Sequence, residues 1–537
     1  MKAEQIDGMI IIKSQYKDKD VIKKIPAVRW NPNKKHWTVP ATPYGVFLLD
    51  KIGCDITGLD STLLHYASAI GYNSTNRAHI PVTGLNVSLW RHQQTGVDFA
   101  YPLKSVLLDA PMGTGKTIMA LALTITKGHK IVLIVCPKIV RAVWRDEIDR
   151  RVTVPTKTVI LGGSVKHKHD GLIQNLKLHK LRGEGILFIV VNYESVWREP
   201  LRSAIARYNE VIQYVILDES HRIKAPGSKV SWFFKGALKH CEKLCLTGTP
   251  LPNSPLDAYG QFRFLDPCMF GTSFAMFRGK YAVMGGYEGK QVLSYQNLDD
   301  FRKKYYSITY KIPETVLDLP EVVHVYRETQ LTAKGQKHYD EIKKQFVTEV
   351  TEGKILTVSN ALSRLTRLHQ ITSGVLPVDD ALIQVDNSKE KLLQEVLIDL
   401  PKNEPVVVFC RFTADIEAVK RVGEHLGRAV AELSGKIEEL DKWQKDKNDI
   451  PILAVQIQKG SLGVSFVRAR YQIYYSKSFN NGDYMQSLKR IHRPGQLKNV
   501  TYIHLVVSGT IDADINAALQ KKSDIIKSVL TKFHINL

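Results

Sequence analysis

The stretch Ser105-Val106-Leu107-Leu108-Asp109-Ala110-Pro111-Met112-Gly113-Thr114-Gly115-Lys116-Thr117 decides how the rest of this chain is read. A buried strand, Ser105–Leu108, runs into a loop with two glycines, and the run Ile118–Thr124 continues as a helix. Gly113 and Gly115 let successive backbone amides close on phosphate oxygens, and the start of a helix adds partial positive charge. Lys116 then reaches the β- and γ-phosphates, and the Thr117 hydroxyl is placed for Mg2+. Ala110 stands where such loops usually have their first glycine. A mere surface turn would leave the apolar strand unexplained.

Further along, the strand Tyr214–Leu217 ends in Asp218-Glu219-Ser220-His221. Adjacent carboxylates are usually a solvated turn, but a pair that closes a buried strand downstream of a phosphate loop seldom is. Asp218 suits the Mg2+ that bridges the β- and γ-phosphates. Glu219 is placed to polarise the attacking water as general base. ATP with Mg2+ is therefore the expected ligand pair. His221 reads either as a coupling residue or as a satisfied polar neighbour.

Working outward, apolar strands alternate with helical stretches. One set is Ser105–Leu108, Ile131–Cys136, Ile186–Val191, Tyr214–Leu217 and Lys243–Leu246; a second is Val406–Cys410, Ile452–Val455, Tyr471–Tyr475 and Tyr502–Val507. Unbroken apolar strands between helices indicate parallel sheets covered on both faces. Between the sets, from Leu265 to Ile383, the strand rhythm is lost, leaving helical and loop insertions, a turn at Gly285-Gly286 and an extended join at Leu317-Asp318-Leu319-Pro320. The fold class expected is α/β: two lobes joined by an irregular middle. The first 80 residues differ, with a strand at Gly8–Ile12, a helix at Asp18–Ile25 and a hairpin of Val28–Trp30 with His36–Val39. They read as a small separate α+β domain.

The 75 basic side chains outnumber the 53 acidic ones, for a net charge of +22, which favours a polyanionic partner through phosphate neutralisation. No run approaches the ~18 apolar residues of a membrane span, and the start lacks a signal-peptide layout. Among the six cysteines only Cys241 and Cys245 lie close together, which argues for buried reduced thiols rather than a zinc site.

The remaining signals fall in one order. They are Leu89-Trp90-Arg91-His92-Gln93, then Val135-Cys136-Pro137 through Trp144 and Glu147, and then Asn192-Tyr193-Glu194. Leu246-Thr247-Gly248-Thr249-Pro250 with Asn253 and Phe264–Pro267 follow. Val406–Cys410, Gly460–Val464 and Gln486-Ser487-Leu488-Lys489-Arg490-Ile491-His492-Arg493-Pro494-Gly495-Gln496 close the series. From residue 85 to about 515 the chain resembles the Swi/Snf type of superfamily-two helicases. The resemblance implies two tandem RecA-like lobes with helical insertions, at 81–320 and 321–537. It also implies Gln93 as adenine reader, Gly463 in the nucleotide site, and Pro137 and Trp144 on the DNA backbone. His221, Thr247, Gly248, Thr249 and Gln486 would couple ATP state to movement. Arg490 and Arg493 would be arginine fingers, a device worth roughly 10³–10⁵ in rate in related phosphoryl transfers. The sequence departs from the family pattern at Ile457 (usually threonine), Ser465 (usually asparagine) and Thr309-Tyr310 (usually an arginine pair).

Within residues 1–80, Val28 to Pro40 is similar to the HARP domain of annealing helicases, which implies DNA binding with a taste for forks. Lys34 and Lys35 would contact phosphate, and Trp30 or Trp37 could stack on a base, although at least one of these tryptophans is expected in the core. No chromatin-reader or zinc-finger pattern follows residue 515, which disfavours a chromatin remodeller. The expectation is a monomeric, DNA-dependent ATPase that translocates on duplex DNA and remodels or anneals branched DNA in replication, recombination or repair. It would sit in the cytoplasm of a bacterial or virus-infected cell, or in a eukaryotic nucleus. A strand-separating DNA or RNA helicase is the alternative, and an inactive DNA-binding scaffold a more distant one.

Overall fold

The computed structural model describes residues 1–520 apart from 72–76, 184, 253, 287–290, 352–357, 379–380, 446–448 and 461–463. Two compact units divide the chain, Met1–Val316 and Leu317–Leu537. The boundary falls at the extended join Leu317–Pro320.

The first unit opens with an antiparallel sheet of β1 (Lys2–Ile6), β2 (Met9–Lys13), β3 (Arg29–Asn31) and β4 (His36–Pro40), in the order β1-β2-β4-β3. The expected helix at Asp18–Ile25 is a 3-10 turn, Tyr16–Asp18, and a single helical turn, Lys19–Ile22. Pro26 shortly after disfavours a longer helix. In the hairpin, Asn31 Oδ1 accepts the amides of Asn33 and Lys34, and Lys35 takes a left-handed φ of 50°. Lys34 and Lys35 are exposed at its tip. Trp30 pairs with Trp37 across the strands, Trp37 in the core and Trp30 about half exposed.

A seven-stranded parallel sheet follows, built from β5 (Ser105–Asp109), β6 (Ile131–Cys136), β7 (Thr156–Ile160), β8 (Ile186–Asn192), β9 (Tyr214–Asp218) and β10 (Glu242–Thr247). After the hairpin β11 (Ala282–Gly285) and β12 (Gln291–Tyr295), β13 (Thr309–Lys311) completes the order β13-β5-β10-β9-β6-β8-β7. In the second unit β14 (Val322–Thr329) precedes the hairpin β15 (Val375–Val378) and β16 (Ala381–Gln384). Then come β17 (Val406–Cys410), β18 (Val430–Leu433), β19 (Ile452–Gln456), β20 (Tyr471–Tyr474) and β21 (Val500–Val507). Their parallel sheet runs β14-β21-β20-β17-β19-β18. Val407 and Phe409 enter one core and Val406, Val408 and Cys410 the other, because successive side chains of a strand face opposite ways.

Two expectations need correction. The middle of the chain is not free of sheet strands: β13 and β14 are edge strands of the two large sheets, and β7 is another edge strand the sequence reading passed over. Each pairs on one side only and carries polar residues, so none shows a continuous apolar run. The N-terminal 80 residues have a sheet of their own, yet they belong to the first compact unit. Their core residues, such as Ile10, Val39 and Leu49, join one apolar cluster with Leu107 and Leu244 of the large sheet. The buried Asp266 carboxylate accepts from Thr42 Oγ1 at 2.8 Å and from the Tyr44 amide at 3.0 Å, tying the two parts together.

Candidate active site

β5, β10 and β9 are neighbours in parallel register, Thr247 opposite Asp109 and Leu246 opposite Asp218, so their C-terminal ends are level. The three loops that leave these ends carry the phosphate loop, the Asp-Glu pair and the Thr-Gly-Thr segment. Residues far apart in sequence are thereby placed on one edge of the sheet, where ligands bind in parallel α/β folds.

In the phosphate loop Gly113 and Gly115 have φ of 86° and 87°, a region that disfavours side chains. A Cβ on Gly115 would lie 2.2 Å from Gln93 Nε2. That amide donates to the Thr114 carbonyl at 3.0 Å, and His92 Nε2 lies 2.9 Å from the same oxygen. Gln93 Oε1 accepts from the Trp90 amide at 2.9 Å. Gln93 therefore braces the loop here, beside the adenine role the resemblance implies. Lys116 Nζ donates to the carbonyls of Ala110 (2.8 Å) and Pro111 (3.2 Å), and Thr117 lies on the first turn of the helix Lys116–Thr126.

Across the sheet edge, Asp218 is pushed above the usual carboxylate range by burial and then by the charge of Glu219. A hydrogen bond from Trp144 and the charge of Lys116 pull the other way. A desolvated carboxylate beside a second one is stabilised by a cation in front of it, so Thr117 and Asp218 fit Mg2+ and the loop amides with Lys116 fit phosphate. Glu219 has φ 54°, and its Oε2 lies 3.4 Å from His221 Nδ1. His221 Nδ1 is 3.1 Å from Thr247 Oγ1, which also accepts the Thr249 amide at 3.1 Å. The Thr247 carbonyl accepts the Ala110 amide at 3.0 Å, and a Cβ on Gly248 would sit 3.2 Å from the Ala110 carbonyl. Ser220 Oγ donates to Gln261 Oε1, and Gln261 Nε2 to the Pro250 carbonyl, both at 2.7 Å.

Two of the expected DNA contacts are corrected. Trp144 is buried, with Nε1 donating to Asp218 Oδ2 at 2.9 Å, and so serves the carboxylate rather than DNA. Pro137 is buried as well, while the next residue, Lys138, is exposed. Lys138 lines a groove of about 750 Å³ together with Arg141, Lys168, Arg198 and Ser164. Lys168 Nζ is held by Asn192 Oδ1 (2.9 Å) and Ser195 Oγ (2.6 Å), and burial, then Arg141 and Lys138, lower its pKa. Sequence reasoning missed these cations because they come from three separate segments with no shared local pattern; Asn192 was the one visible clue.

In the second unit Gln486 is half-buried on the helix Asn481–Leu488. Arg490 is buried, with Nη1 donating to the Val464 carbonyl at 3.3 Å, so it lies in the interior of that unit. Arg493 is half-buried, and desolvation lowers its pKa. Ile457 packs into the core, which suits an aliphatic side chain at that position. Tyr310 donates from its hydroxyl to the His92 carbonyl at 3.1 Å, bracing the segment that carries Gln93. Gly463 and Asn253 lie outside the described residues.

The model of the SNF2-related domain matches residues 84–375. The chain belongs to the SNF2-related family. An uncharacterized ATP-dependent helicase of Mycoplasma genitalium is 26% identical over 483 residues, which cover 86% of this chain and 44% of that protein. The human DNA annealing helicase and endonuclease ZRANB3 is 23% identical over 496 residues, 88% of this chain and 43% of that protein. A Caenorhabditis elegans homologue of the SWI/SNF-related matrix-associated actin-dependent regulator of chromatin subfamily A-like protein 1 is 23% identical, covering 95% of this chain and 72% of its own. This SNF2-related chain thus spans under half the length of the Mycoplasma and human relatives. A Sulfolobus solfataricus SWI2/SNF2 ATPase core in complex with dsDNA is 19% identical and covers 85% of this chain and 95% of its own, with a TM-score of 0.38.

Proposed function

We propose that this SNF2-related chain hydrolyses ATP to move along duplex DNA and uses that movement to remodel or anneal branched DNA. The observation that carries the reading is that β5, β10 and β9, neighbours in one sheet with level ends, lead into the phosphate loop before Lys116, into Thr247 and into the Asp218-Glu219 pair. The loop amides and Lys116 hold the β- and γ-phosphates, and Thr117 and Asp218 would hold Mg2+, which shields phosphate charge when bound. Glu219 accepts the proton of the attacking water. The contacts from Glu219 through His221 to Thr247 give a change at the water a route to the loop after β10. Lys138, Arg141, Lys168 and Arg198 offer a phosphate-binding groove on the same unit. The exposed Lys34 and Lys35, on a segment similar to the HARP domain, support a preference for forks, and the similarity to the human DNA annealing helicase and endonuclease ZRANB3 supports annealing.

The test is ATP turnover with single-stranded, duplex, forked and RNA cofactors side by side, together with displacement of a triplex-forming strand. Forked and duplex DNA should stimulate most, and the triplex strand should leave while an ordinary annealed strand stays. Efficient release of the annealed strand from tailed duplex would favour the strand-separating alternative. No turnover with any cofactor would leave the scaffold.

A further inference from the structure

A cavity of about 660 Å³ lies where the N-terminal sheet meets the large sheet of the first unit. Lys104, Lys235, Lys239, His240, Lys243 and Arg263 line it, against the carboxylates Asp7 and Asp60. Asp60 is already engaged, accepting the Leu63 amide at 2.9 Å as the cap of the helix Ser61–Ser68. Lys243 is satisfied by the Phe264 carbonyl at 2.8 Å, but Arg263 Nε is buried with no hydrogen-bond partner among the described residues. Burial lowers the pKa of Lys235, and the charges of Arg263 and Arg29 lower it further. A recess so rich in like charge is stabilised by an anion inside it.

Trp232 stands at the rim of this cavity, 60% exposed, with the Lys235 ammonium 4.0 Å from its ring centroid. The same indole lines a second groove of about 630 Å³ with Trp197, Arg198 and Lys229. Arg198 and Lys229 each lie 5.1 Å from the Trp197 ring. Arg198 in turn lines the groove of Lys138 and Lys168. Arg198 and Trp232 thus join three basic recesses into one path that runs from the end of β6, over the helix Lys229–Gly236, to the N-terminal sheet.

We propose that the two recesses on this path that share Trp232 bind an unpaired DNA strand, the one a branch leaves free of duplex, while the groove of Lys138 and Lys168 keeps the duplex phosphates. This rests on the function proposed above and names the second DNA contact that would make it selective for branches. The recess under the N-terminal sheet, at about 660 Å³, is of a size to take a nucleotide rather than a duplex. Exposed indole faces take unpaired bases of any sequence, and the flanking cations neutralise the phosphates between them.

The test uses the full chain and a fluorescein-labelled oligothymidine, with affinity read by anisotropy without ATP at one fixed salt concentration. Trp232→Ala should weaken oligothymidine binding about tenfold, the loss expected of one stacked base. Trp232→Phe should restore most of it, and Lys239→Glu should weaken it several-fold. Duplex affinity should change less than twofold in each. Trp232 and Lys239 are exposed, so melting curves of the variants should match the parent. Oligothymidine affinity within twofold of the parent in both Trp232→Ala and Lys239→Glu overturns the proposal. So does an equal loss for duplex and single strand, which would mark a general polyanion surface. Because this measurement needs no hydrolysis, absence of DNA-stimulated ATPase in the parent would sink the proposed function and leave the strand-binding result to stand or fall separately.

Discussion

Trp144 donates its indole N–H to Asp218 Oδ2 across 74 residues of chain, from a side chain that is 2% exposed. A buried carboxylate keeps its orientation only while its hydrogen bonds are made, and one bond to a charged group contributes about 1.5–3 kcal/mol. Trp144→Phe keeps the apolar contacts and removes the donor. ATP turnover should fall about tenfold, with a lower melting temperature and little change in the DNA concentration that gives half-maximal stimulation. A rise in that concentration at constant maximal rate would return Trp144 to the DNA surface.

Lys116→Ala and Glu219→Gln should both abolish hydrolysis and yet separate in binding. In the mechanism proposed above, Lys116 would contact phosphate in the ground state, whereas Glu219 would act on the water. A fluorescent ATP analogue should still bind Glu219→Gln and should bind Lys116→Ala at least tenfold more weakly. Ordinary turnover in either variant removes the assigned chemistry.

Thr247 Oγ1 lies between His221 Nδ1 and the Thr249 amide. Thr247→Val keeps the shape and deletes both contacts. Hydrolysis should stay within a few-fold of the parent while triplex displacement per ATP drops about tenfold. Equal losses in both assays would mean that the hydroxyl supports the catalytic residues rather than transmitting their state.

Glu242 links the two parts of the first unit: Tyr66 donates to its Oε1 at 2.6 Å, and Lys127 pairs with Oε2. Burial would raise its pKa, but His129, 3.6 Å away, and the charge of Lys127 outweigh burial and hold it at about 2, below the usual 4.5. Burial lowers Lys127 even so, so the linkage is read on the acid side. A depressed carboxylate stabilises the fold fully above pH 4.5 and loses that contribution as pH falls toward 2. At about 1.4 kcal/mol per tenfold change in ionisation, the contribution at neutral pH is about 3 kcal/mol. Glu242→Gln should therefore lower the urea midpoint at pH 7, and the gap to the parent should narrow as pH falls below 4.5. A gap that stays constant with pH would show that the charge is not what holds this joint.

A chain that starts at Pro81 should be destabilised rather than simply less selective. Removing Thr42 and Tyr44 leaves the buried Asp266 without two of its donors, and Ile10, Val39 and Leu49 no longer cover the shared core. Leaving a buried carboxylate short of partners costs several kcal/mol. Lys34→Glu with Lys35→Glu probes fork preference without that loss, because both side chains are exposed at the hairpin tip. The pair should erase the fork-over-duplex ratio in ATPase assays while the full chain melts as the parent does.

The sequence alone determined what is local. A strand, two glycines, Lys116-Thr117 and a helix lie within one short stretch, and Tyr214–Leu217 carries Asp218 and Glu219 at its own end, so the order of residues dictates both the elements and the chemistry at their tips. Only the tertiary structure decided what depends on partners distant in the chain. Trp144 looks like a surface contact until β9 sets Asp218 beside it, and Pro137 until its neighbours bury it. Gln93 turns out to brace Thr114, and the first 80 residues merge into a larger unit because Asp266, more than 220 residues away, needs Thr42 and Tyr44. β7, β13 and β14 escaped notice for a related reason: an edge strand pairs on one side only and has no need of an unbroken apolar run. Burial and hydrogen-bond partnership belong to pairs of segments brought together by folding, and a single segment carries no record of the other half.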